Sequence, residues 1–153
     1  MKLKIVFAVM MVSLIAGCAG VAVAPEFNGI QSFKGVKWGM SKDKVQVVID
    51  RDLKKLDAMK YYMGDEMYGM PCKVTFEFGL KDSLRSVIID YDTMNPEAEY
   101  DYVAKNITQA YGAPKKSGKD SGIIWHTADT VAVLMMIGGM EKQIKLTFVQ
   151  KEK

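Results

Sequence analysis

The chain has 153 residues, 49% of them hydrophobic and 25% charged, with two cysteines and one histidine. Of its 21 basic residues, Lys2 and Lys4 stand in an acid-free leader, so residues 18–153 hold 19 basic against 18 acidic residues, a formal charge of +1. That balance excludes the basic footprint of a nucleic-acid binder and a polybasic membrane patch; the length allows one modest domain that buries about two-thirds of its unfolded surface without a metal or disulfide staple.

The leader opens with Lys2 and Lys4, runs apolar from Ile5 to Ile15 with only Ser13 between, and ends on Ala16-Gly17. A basic start, an apolar segment too short to span a bilayer and a small-residue cleavage site predict a secretory signal over 1–17. Ile15-Ala16-Gly17-Cys18 resembles the lipobox of bacterial lipoproteins. The resemblance implies cleavage before Cys18 and lipid on its sulfur and new amino group. Ala19 differs from the aspartate that resembles an inner-membrane retention signal, which favours the outer membrane, facing the periplasm, in a cell with two. With Cys18 acylated, Cys72 is left without a partner. Residues 18–32 then form the lipidated cysteine and a flexible tether of small, weakly polar residues, spanning roughly 20 Å root-mean-square. One domain occupies 33–153.

Ser41 is a good helix N-cap, with Met40 and Val45 at the two positions of a hydrophobic staple. Val45, Val48, Ile49, Leu53 and Leu56 follow at helical spacing and predict a helix over about 42–56. Ala58–Gly64 reads as a strand, and Asp65–Met70 as a loop around Gly69. After Pro71, residues Cys72, Val74, Phe76 and Phe78 alternate with Lys73, Thr75 and Glu77, which predicts a strand with one apolar face. Leu84–Tyr91 is a further strand. Asn95-Pro96 opens a second helix with Glu97 and Glu99 in its first turn, and Gly112 with Pro114 stops it. Lys115–Gly122 reads as a polar loop. Strands are expected at Ile123–His126, Thr130–Ile137 and Gln143–Val149, the last two joined through Gly138-Gly139. Thr130–Ile137 is apolar on both faces and is expected to be central.

This order, a helix and three strands repeated twice, predicts an α+β fold, a two-layer sandwich of antiparallel sheet with two helices on one face. Gly39-Met40-Ser41 with Val45 resembles the Gly-Met-Thr/Ser-x-x-x-Val start of the SmpA/OmlA-type outer-membrane lipoproteins, small subunits of the outer-membrane protein assembly machine. Where that pattern continues with Leu-Gly-x-Pro, this chain has Leu56-Asp57-Ala58-Met59. The layout over 36–149 is similar to the β-lactamase-inhibitor-protein fold, which doubles such a unit. The first resemblance implies a part in envelope assembly, the second inhibition of a partner.

No residue set predicts catalysis. His126 is a lone histidine at a strand end, and no carboxylate pair can be placed on one site. Gly138-Gly139 is a hairpin turn rather than a phosphate loop, because no helix follows it. Two readings of function stay open. In the first, the domain is a non-enzymatic protein-binding module without a cofactor. Its partner, another envelope protein, would bind the sheet face that the helices leave open, with Lys73, Thr75, Glu77, Lys145 and Thr147 on that face and Ala132, Leu134 and Met136 as its apolar centre. In the second, Met59, Met63, Met67, Met70 and Cys72 bind a soft metal such as Cu(I), or a small ligand. Alternation turns Cys72 into the core, and the loop methionines are expected to scatter without meeting it.

Overall fold

The computed structural model describes residues 33, 35–118, 122–138 and 141–152; the leader over 1–17, and Cys18 with the tether over 18–32, lie outside these. The fold is α+β and mostly sheet. In chain order it runs α1 (Lys42–Ile49), β1 (Lys54–Lys55), β2 (Lys60–Met67), β3 (Met70–Phe78), β4 (Leu84–Tyr91), α2 (Pro96–Tyr111), β5 (Lys116–Gly118), β6 (Gly122–His126), β7 (Thr130–Ile137) and β8 (Gln143–Gln150). The strands form one eight-stranded antiparallel sheet in the order β1-β2-β3-β4-β8-β7-β6-β5. Each helix is thus followed by four strands, one more than the apolar pattern shows, because β1 and β5 are too short to carry a period. The centre of the sheet is the β4–β8 pair; β7 is interior but off-centre.

Helix α1 is half the expected length. Ser41 caps it, accepting from the Lys44 N–H at 3.4 Å, but Asp50 turns left-handed (φ 53°) and sends its own N–H back to the Gln46 carbonyl. Asp50 and Asp52 follow where the negative end of the helix dipole disfavours acids, and no basic residue stands in the last turn. Leu53 still reaches the core from the loop, whereas Leu56 is exposed. Helix α2 spans Pro96–Tyr111 as its Pro start and Gly112 stop predict, although Asn95 makes no side-chain cap bond.

Strand β2 runs on to Met67 and β3 begins at Met70, so the expected loop is a two-residue turn. Tyr68 (φ 56°) and Gly69 (φ 76°) are both left-handed, the signature of the turn whose twist matches a hairpin. The core gathers on one face of the sheet. Val74, Phe76, Val87, Ile89, Leu134, Ile144, Leu146 and Phe148 are fully buried there, together with Val45 of α1 and Val103 and Ile107 of α2. Ring contacts tie the pieces together: Phe33 meets Phe76 edge-on at 5.4 Å, and Tyr111 lies 5.7 Å from Phe148.

Candidate functional site

The ladder register divides the residues of the sheet between two faces. On the core face Cys72 pairs with Tyr91, Tyr91 with Ile144 and Ile144 with Met136, while Val74, Ile89, Leu146 and Leu134 make the next row. Residues of opposite parity form the outer face. Its middle row runs across six strands: Tyr62, Thr75, Ile88, Thr147, Val133 and Ile124. One flanking row is Lys73, Asp90, Lys145 and Met135; the other is Lys60, Glu77, Ser86, Val149, Val131 and His126.

The sheet therefore brings Lys73, Thr75, Glu77, Lys145 and Thr147 onto one face, as their alternation predicts. It does not bring Ala132, Leu134 and Met136 to them. Ala132 and Leu134 are fully buried on the core face, and Met136, partly buried, lies there too, beside Tyr100 and Glu97 of α2. The reason is the β7–β8 connection. The ladder closes on Ile137 and Gln143, which pairs even positions of β7 with even positions of β8 and so puts Ala132, Leu134 and Met136 on the face of Ile144, Leu146 and Phe148. Because β7 is apolar on both faces, its alternation gives no warning of a one-residue slip. The apolar centre of the outer face is instead Ile88, Val133 and Ile124 with Tyr62, all partly exposed, and Val149 and Met135 are about two-fifths exposed.

Charged pairs border this band on both sides over β2–β4 and at Lys145 of β8, whereas Met135, Val149 and Val131 border it further along the sheet. Lys145 meets Asp90 at 3.2 Å in one flanking row, and Lys60 meets Glu77 at 3.5 Å in the other. Both pairs are cross-strand and partly exposed, so each contributes at most about 1 kcal/mol. Within the middle row, Thr75 is nearly buried between Tyr62 and Ile88, its neighbours on the adjacent strands. His126 ends the outer face opposite Val131. Partial desolvation and the nearby Lys115 and Lys151 hold its imidazole below the ordinary value.

Four of the five sulfur residues share one face of the hairpin, and Met59 stands apart, exposed. Met67 stands opposite Met70 across the β2–β3 turn, Cys72 is one row further on opposite Asp65, and Met63 is one row beyond that opposite Val74; all lie on the core face. Cys72 is a free thiol, pushed up to about 11 by burial and then by the Asp65 carboxylate. Tyr91, across the ladder from Cys72, is almost completely buried, and its hydroxyl has no hydrogen-bond partner. Both residues line a cleft of about 890 Å³, together with Lys73, Asp90 and Lys142. Among the described residues, no three His, Cys, Asp or Glu side chains converge as a metal-holding group, and no helix is long and apolar enough to cross a membrane.

Comparison of the chain with protein families, with curated proteins and with solved structures gives no match in any of the three.

Proposed function

We propose that this chain is a lipid-anchored protein of the cell envelope, facing the periplasm from the outer membrane, and that its domain is a non-enzymatic module that binds another envelope protein through the outer face of the sheet. The observation that carries this reading is the Tyr62–Thr75–Ile88–Thr147–Val133–Ile124 row, an apolar and threonine band flanked by the Lys60–Glu77 and Lys145–Asp90 pairs. A polar rim around an apolar centre is the general composition of a protein-binding patch. The lateral edges of the sheet are poor alternatives, since β1 has two residues, both exposed lysines, and β5 has three residues; short, charged edge strands resist strand addition. The fold reading behind the proposal is a two-layer sandwich in which one helix-plus-meander unit is doubled. The strand order supports it, because β4 and β8, the last strand of each half, meet at the centre. Anchoring rests on Ile15-Ala16-Gly17-Cys18; two or more acyl chains hold a protein at a membrane stably, whereas one does not.

The test uses the full chain in its own membranes. Cross-linking and purification of the native protein should yield a defined partner. Ile88→Glu/Val133→Glu, which alters only the outer face, should lose that partner while keeping the circular dichroism of the parent. Cys18→Ser should release the protein into the soluble fraction or stall its processing. An unchanged set of cross-linked proteins with the first variant overturns the docking face, and normal membrane retention of the second overturns the anchor.

A further inference from the structure

We propose that Met67, Met70 and Cys72, on the core face at the tip of the β2–β3 hairpin, form a soft-cation site that takes Cu(I) through two thioethers and one thiolate.

The argument begins with the turn. Tyr68 and Gly69 close the hairpin in two residues, so Met67 and Met70 are a directly opposed pair, about 5.5 Å apart at Cα. Cys72 is two residues along the same strand face from Met70 and diagonal to Met67, a separation of about 7–8 Å that long side chains bridge. Methionine has three rotatable side-chain bonds, so two thioethers can swing toward one fixed cysteine sulfur. Thiolate and thioether ligands select Cu(I) over the harder divalent ions.

These three belong to the core cluster but are among its least sealed members. Met67, Met70 and Cys72 each retain 8% of their surface, whereas Val74 and Phe76, further along β3, retain 0%. The sulfur group therefore sits at the rim, between the cleft lined by Cys72 and Tyr91 and a second cavity of about 490 Å³ lined by Met67, Tyr68 and residues of α2. Independently of the sulfurs, Tyr91 is only 3% exposed, its buried hydroxyl has no hydrogen-bond partner, and it lines the same cleft as Cys72. A buried hydroxyl without a partner is costly. A cysteine sulfur that has exchanged its proton for a cation is a better hydrogen-bond acceptor than a neutral thiol, and could supply the missing partner. Binding is an exchange: the S–H bond of Cys72 breaks, the proton leaves to solvent, an S–Cu bond forms, and copper stays in the +1 state with nothing oxidised. Met63 stands a row further into the core, opposite Val74, and is not needed as a ligand.

The test is a titration of the reduced full chain carrying Cys18→Ser, so that Cys72 is the only thiol, with Cu(I) against a chromogenic Cu(I) chelator. One equivalent should bind and raise the melting temperature. Cys72→Ser should abolish that binding, and Met67→Leu/Met70→Leu, which conserves core volume, should weaken it by more than about tenfold. Met59→Leu, on an exposed methionine outside the group, should leave the titration unchanged. X-ray absorption at the copper edge should show sulfur neighbours alone. Failure to bind one equivalent, nitrogen or oxygen in the first shell, or full affinity in a folded Met67→Leu/Met70→Leu variant overturns the site.

Discussion

Trp125 donates its indole N–H to the hydroxyl of Thr108 at 3.2 Å, which fastens β6 to the last turns of α2. Trp125 is fully buried and Thr108 partly so, and the bond joins the two elements at the border of the core. Thr108→Val keeps the shape and removes the acceptor, leaving a buried indole N–H without a partner. The expected loss is about 1–3 kcal/mol. Chemical denaturation of the variant measures it, and a change within error of zero would show that the indole finds another acceptor.

Leu134 and Val133 are sequence neighbours on opposite faces. Leu134→Ala opens a cavity beside Leu146 and Ile123, its ladder partners, and should cost about 3 kcal/mol or more. Val133→Ala, on the partly exposed outer face, should cost under about 1 kcal/mol. The reverse order of the two costs in equilibrium unfolding would place β7 in the other register.

At the β2–β3 turn, Gly69 holds φ at 76°, and a methyl group built there would meet nothing within 4 Å. Gly69→Ala is therefore a test of backbone torsion without a clash. It should destabilise the protein by about 1 kcal/mol, and urea unfolding midpoints decide it. An unchanged midpoint would mean that the turn relaxes into another type.

His126 should titrate below its ordinary value near 6.5, from desolvation and from the positive charges of Lys115 and Lys151. The sign for stability follows from proton linkage. As pH falls, the unfolded chain takes up this proton first, so the contribution of His126 favours the native state above the unfolded value and is lost as pH drops through the folded one. The effect is small because the ring is largely solvated. Proton NMR of the single histidine reads the value directly, and Lys115→Gln should raise it. A value at or above 6.5 in the native protein is the contrary result.

Much of the fold was legible where one signal dominated. Strand β4 and helix α2 fall where alternation, the Asn95-Pro96 start and the Gly112 stop put them. The failures have local causes. Leu53 and Leu56 continue the helical period of α1, but two acids and a left-handed Asp50 end the helix before it reaches them. Asp65 and Glu66 look like loop residues, yet they ride on a strand that continues to Met67, and Arg51 meets Asp65 at 3.1 Å. The outer face was half legible. On β3 and β8 one face is polar, so Lys73, Thr75, Glu77, Lys145 and Thr147 could be placed. On β7 both faces are apolar, and only the number of residues between Ile137 and Gln143 distinguishes Val133 from Leu134. Counting that connection against the Ile144–Leu146–Phe148 face is the signal that would have found it.

Strand β8 is the last strand in chain order, and it lies in the middle of the sheet, between β4 and β7. Strands β1–β4 and β5–β7 can each pair as they emerge, but the two groups cannot join until residues 143–150 insert between them, pairing with six residues of β4 on one side and eight of β7 on the other. Up to that moment β4 and β7 each present a long apolar strand with its backbone groups open to any passing chain. Pairing β8 with β7 is local, but closing β4 on β8 is a slow step, because the entropy of the long connection from Tyr91 to Gln143 is lost before the contacts repay it. A chain that folds in order from its N-terminal side therefore holds the inner edges of β4 and β7 open until β8 arrives, and that interval is when strand pairing with another chain competes best.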